Sequence, residues 1–192
     1  DYTNRLYVNR VTFDNAVNSG LNITTAAGTE PASVDLATNY AANAGGTALI
    51  LNKNEFDAQA ITLQTSQPTV LFYGRYAGAY GNRLEVSMVS TSNFAAWTYE
   101  NAFSRNIAAN EYAIVVRLDG AIIESFIGNA NPTAKSPTGG SDYIVEIVNR
   151  TSAFIYMSEI DLLFDDSAVF VEADIAMTSL TAGSDGANSA SE

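Results

Sequence analysis

Glu111-Tyr112-Ala113-Ile114-Val115-Val116-Arg117-Leu118, then Asp119-Gly120, then Ala121-Ile122-Ile123-Glu124-Ser125-Phe126-Ile127 is the stretch from which the fold is read. Tyr112, Ile114, Val116 and Leu118 alternate with Ala113, Val115 and Arg117, which is the period of two of a β-strand. Asp119-Gly120 supplies two residues that tolerate positive φ, as the centre of a two-residue type I′ turn requires. The apolar pattern then resumes. The stretch predicts a β-hairpin.

Working outward, Pro132, Pro137, Gly139 and Gly140 mark a loop, after which Ser141 is placed to cap a helix. Tyr143, Ile144, Ile147 and Val148 form one apolar stripe, ending near Arg150-Thr151. Residues 153–157 read as a further strand. Upstream, residues 69–73 lie between Pro68 and Gly74 and are β-branched and aromatic, so they read as a buried strand. A loop with Gly74, Gly78 and Gly81 leads into residues 84–89, where Leu84, Val86 and Met88 share one face. Consecutive tight turns in that loop are expected to need positive φ at Gly78 and Gly81. A hairpin and a helix laid on a sheet make residues 69–180 an α+β domain.

Residues 1–68 carry weaker signals and read as a small β-rich unit. Residues 5–11 and 48–51 are expected strands, and residues 54–60 a helical turn. Residues 33–44 are expected to form a short helix, with Ser33 as N-cap and Gly45-Gly46 as its stop. Residues 181–192 have no apolar face and read as a linker or frayed terminus. Asp1 stands where Met would start a chain, so the sequence is read as a cut piece of something longer.

Composition narrows the chemistry. Hydrophobic residues make up 47% of the 192 residues, whereas charged residues make up only 16%, against about 25% in a typical domain. Asn, Thr, Ser and Gly supply the polarity instead. There is no Cys and no His, which removes thiolate nucleophiles, cysteine-based metal sites and the commonest general base. Lys53 and Lys135, the only lysines, lack the apolar setting that would make a catalytic amine. The Gly74/Gly78/Gly81 loop lacks the Lys-Ser/Thr of a phosphate loop. No alternating Asp/Asn calcium loop is present, and Asp165-Asp166 would point to opposite faces of a strand. Carboxylate pairs of the glycosidase kind are not recognisable from spacing. Asn22-Ile23-Thr24 and Asn149-Arg150-Thr151 match the glycosylation pattern at the level expected by chance. The expectation is a non-enzyme with no cofactor, no metal and no small-molecule ligand.

The net charge of −12 is unevenly spread, since residues 119–192 hold 12 acidic and 2 basic residues. No basic stripe suited to phosphates is present, so neither nucleic acid nor an anionic membrane surface is an expected partner. The run from Glu159 to Asp174 reads first as a solvated acidic face, then as a docking surface for a basic partner, then as a hard-cation site.

Three segments, taken in order, resemble the contractile tail sheath proteins of bacteriophages. Residues 75–84, with Tyr76, Gly78, Tyr80, Gly81 and Asn82, resemble that family's A-x-Y-P-G-x-W-G-N-x-L loop. Residues 111–155 resemble its E-x-F-x-V-x-V hairpin, D-P-x-A-K loop and S-x-Y-I-x-x-V-x-N-x-S-x-Y-I helix and strand; the turn is Asp119-Gly120. Residues 180–186, closing on Asp185-Gly186, resemble its L-x-G-G-x-D-G step. Ala77 stands for the usual Pro, Tyr80 for Trp and Ala182 for the first Gly. The resemblance implies an outer or middle-domain fragment of a sheath subunit, resident in the phage tail of the virion and made in the host cytoplasm. Its partners would be other sheath subunits and the tail tube, with the fragment alone expected to be monomeric. An extracellular adhesin or surface-layer β-module is the other reading.

Overall fold

The computed structural model describes residues 15–25, 34–37, 49–66, 70–159 and 174–186. The chain forms β1 (Asn18–Thr25), β2 (Val34–Ala37), α1 (Lys53–Ser66), β3 (Val70–Ala77), β4 (Leu84–Ser90), β5 (Glu111–Leu118), β6 (Ala121–Asn129), α2 (Ile144–Thr151), β7 (Ile155–Met157) and β8 (Ile175–Ser179). Two four-stranded antiparallel sheets result, ordered β2-β1-β3-β7 and β6-β5-β4-β8. The architecture is α+β and β-rich, as the sequence predicts.

The main core lies between the sheets. Leu21, Leu71 and Phe72 of the first sheet meet Leu84, Val86, Met88, Tyr112, Ile114 and Val116 of the second. The amphipathic helix α2 closes this core with Ile144, Val145 and Val148. Period two then decides the outer faces. Ile155 and Met157 point into the core, whereas Tyr156 between them points out and stacks on Phe56 of α1, with ring centroids 4.5 Å apart. On the far side of the second sheet, Val89 and Ala113 are covered by Phe94, Trp97, Phe103 and Ile107 from the segment that joins β4 to β5. The Trp97 indole N–H donates to Ser87 Oγ (3.0 Å), which in turn donates to the Ile175 carbonyl (2.7 Å).

The hairpin forms as read. Asp119 has φ 50° and Gly120 φ 84°, the two left-handed residues of a type I′ turn. Helix α1 is longer than the expected turn over residues 54–60. Asn52 Oδ1 accepts from the Glu55 N–H as an N-cap does, and Glu55 Oε2 reaches back to the N–H of Leu51, the residue before the cap.

Other expectations are corrected. Where a helix over residues 33–44 was expected, β2 pairs Val34 to Ala37 with Thr25 to Asn22; the Val34/Leu36 alternation finds a strand partner, and a ladder outweighs a capping residue. Residues 38–44 lie outside the described residues, as do 5–11. Residues 49–51 form no strand. Strand β3 continues through Gly74 to Ala77 instead of ending at a loop. Helix α2 starts at Ile144, because Ser141 Oγ accepts from the Tyr143 N–H (3.3 Å) in a local turn and Ser141 itself bridges Lys135.

The expected boundary at 68/69 has no counterpart in the pairing, since β1 and β3, from opposite sides of it, are neighbours in one sheet. Residues 181–186 are hydrogen-bonded into the fold; residues 187–192 lie outside the described residues. Of the acidic run, only Glu159 and Asp174 are described. Asp174 accepts from the Ser90 N–H (2.8 Å), from Ser90 Oγ (2.9 Å) and from the Asn93 carboxamide, which fastens the start of β8 to the end of β4.

Candidate functional site

All nine residues singled out in the sequence gather at one end of the molecule, where β3, β4, the hairpin turn and the segment after β8 meet. Gly78 turns the chain at φ 107°, and a 3-10 helix over Ala79–Arg83 returns it into β4. Gly81 is a correction: its φ is not positive. It must be glycine for space, because a Cβ there would sit 2.1 Å from Ser19 Oγ. Gly74 is constrained by the same hydroxyl at 2.5 Å.

After β8 the chain leaves the second sheet at Leu180, whose N–H donates to the Leu84 carbonyl (2.8 Å), and joins the first. Thr181 and Gly20 exchange N–H···O bonds of 2.9 Å, and Val17 and Ser184 exchange bonds of 2.8 and 3.0 Å. Between these two pairs, Asn82 takes Gly183. Its Nδ2 donates to the Gly183 carbonyl (2.9 Å), and its Oδ1 accepts from the Gly183 N–H (2.7 Å). Asp185 Oδ1 accepts from the Ala79 N–H (3.2 Å). Gly186, at φ 76°, donates to Ser184 Oγ. The segment 180–186 is thus a strap bound to both sheets.

The hairpin turn is tied to the same end. Arg83 Nε donates to Asp119 Oδ1 (2.9 Å), its Nη2 donates to Oδ2, and the Asp119 N–H donates to the Arg83 carbonyl (3.4 Å). These hydrogen bonds and the guanidinium charge hold the Asp119 carboxyl below the usual carboxylate range, and Arg83 is raised in turn. Arg83 lies over the Tyr80 ring at 5.2 Å, and Tyr80 meets Tyr76 edge-on at 6.3 Å. Tyr76 is 50% exposed. Behind it, Arg75 donates to the carbonyls of Ile155 (3.0 Å) and Asn149 (2.7 Å) and covers Tyr156 at 4.2 Å.

Sequence reasoning missed the device that recurs here. Three asparagines present their carboxamide as a surrogate peptide, pairing with both the N–H and C=O of one residue. Asn18 takes Ile50 (3.0 and 3.1 Å), Asn82 takes Gly183, and Asn149 takes Met157 (2.8 Å each). Asn149, the acceptor of one glycosylation pattern, is thereby engaged. Lys53 pairs with Asp57 (2.5 Å) and Lys135 is exposed. Among the described residues no group of three or more carboxylates is placed to hold a metal ion. Asn82, Asp185 and Arg83 each spend their polar side-chain atoms on another segment of the same chain. Comparison of the chain with protein-family models and with curated proteins finds no match.

Proposed function

We propose that this chain is the outer part of a contractile phage tail sheath subunit, which polymerises around the tail tube and shortens to drive the tube through the host envelope. The observation that carries the reading is the pairing of Asn82 with Gly183. It joins the first and last of the three family-like segments, 101 residues apart, while Arg83 and Asp119 join the first to the second. Segments that resemble one family in order also depend on one another in space. A subunit that transmits force needs a body that does not deform, and one core shared by two sheets supplies it. The low ionic content and the polar clamps suit a structural subunit.

A surface-layer or adhesin module is the second reading, favoured by two antiparallel sheets facing across one core. Electron microscopy with antibody fragments raised against this chain separates the two. Labelling along the shaft of phage tails is the expected result. Labelling of a cell surface, with tails bare, would favour the second reading.

A further inference from the structure

We propose that residues 181–186 form a latch that opens as a unit about Leu180 while both sheets stay folded, with Asn82 setting the closed population. The closed state combines specific bonds with one penalty that opening relieves. In its favour stand the Thr181–Gly20 and Ser184–Val17 pairs, the double bond from Asn82 to Gly183, and the Asp185 contact with Ala79. Against it, Ala182 is held at φ 62°, a left-handed conformation that its Cβ resists.

The penalty belongs to the strap, and lifting the strap frees the Ala182 backbone. Among the described residues little apolar surface resists the movement: past Leu180, only Ala182 packs against a core cluster, and Ser184 and Asp185 are exposed. Leu180 is fully buried in the main core and forms the fixed end. Opening uncovers the edge of β1 from Val17 to Gly20. The proposal does not depend on the sheath reading.

Native-state hydrogen exchange at low denaturant concentrations tests it on this chain. The amides of Val17, Gly20, Thr181, Gly183 and Ser184 should share one opening free energy, below that of β5 and nearly independent of denaturant. Asn82→Ala should speed all five together by roughly tenfold, leaving the α2 amides unchanged. Ala182→Gly should slow them. Strap amides that follow the β5 amides with the same steep denaturant dependence would overturn the proposal. So would acceleration of Gly183 alone in Asn82→Ala.

Discussion

Asn82 and Gly183 pair as two peptide groups would, although one partner is a side chain: Nδ2 donates to the Gly183 carbonyl and Oδ1 accepts from its N–H, at 2.9 and 2.7 Å. A carboxamide carries the same donor and acceptor as a peptide bond, so it continues a ladder where no strand is available. Gly183 is therefore enclosed. A Cβ on it would lie 2.4 Å from the Gly78 carbonyl oxygen and 2.8 Å from Asn82 Oδ1.

Gly183→Ala is accordingly expected to destabilise the chain by about 2–3 kcal/mol, since backbone must move to admit the methyl group. Gly140→Ala is the control, because its Cβ would meet only Ser136 Oγ at 3.5 Å. Its denaturation midpoint should stay within about 0.5 kcal/mol of the parent. Equal midpoints for the two variants would contradict the close packing.

Gly120→Val is expected to cost about 1–2 kcal/mol in chemical denaturation, because a β-branched residue resists the φ of 84° found there. The loss should appear without any change in the slope of the transition. An unchanged midpoint would mean that the turn does not need its left-handed pair.

The hairpin and α2 are legible because their signals are local: a period of two around Asp119-Gly120, and a stripe at helical spacing. Strands β1 and β8 are not, because neither Asn18–Thr25 nor Ile175–Ser179 carries a pattern that names its partner, and only the ladders to β3 and β4 make them strands. The clamps are hidden for the same reason. Asn18 and Asn82 find their targets 32 and 101 residues away, and a carboxamide in an asparagine-rich chain gives no hint of a distant peptide. Gly78 and Gly81 look alike in sequence, yet one serves a backbone angle and the other a contact with Ser19.

Acid should weaken the fold through Glu111. Its side chain is only 7% exposed. Burial alone would raise its pKa, but the Arg105 guanidinium at 2.7 and 3.0 Å and the Ala108 N–H at 2.6 Å outweigh burial and hold it below the ordinary value. A folded-state pKa below the unfolded one gives stability that is complete above the unfolded pKa, about 4.3, and is lost as pH falls through the folded value. Thermal melts from pH 6 to 3 should show Glu111→Gln less stable than the parent at pH 6, with a shallower decline in acid. Parallel declines would remove Glu111 from the account.

The proposed sheath function rests on assembly, and its most direct test is electron microscopy of the full sheath subunit to which the proposal assigns this chain. The account predicts hollow tubes of helically arranged subunits, with this chain, a species near 20.4 kDa on its own, forming their outer layer and remaining monomeric in isolation by sedimentation velocity. A complete protein that stays dispersed, or that spreads into flat two-dimensional lattices, would contradict it.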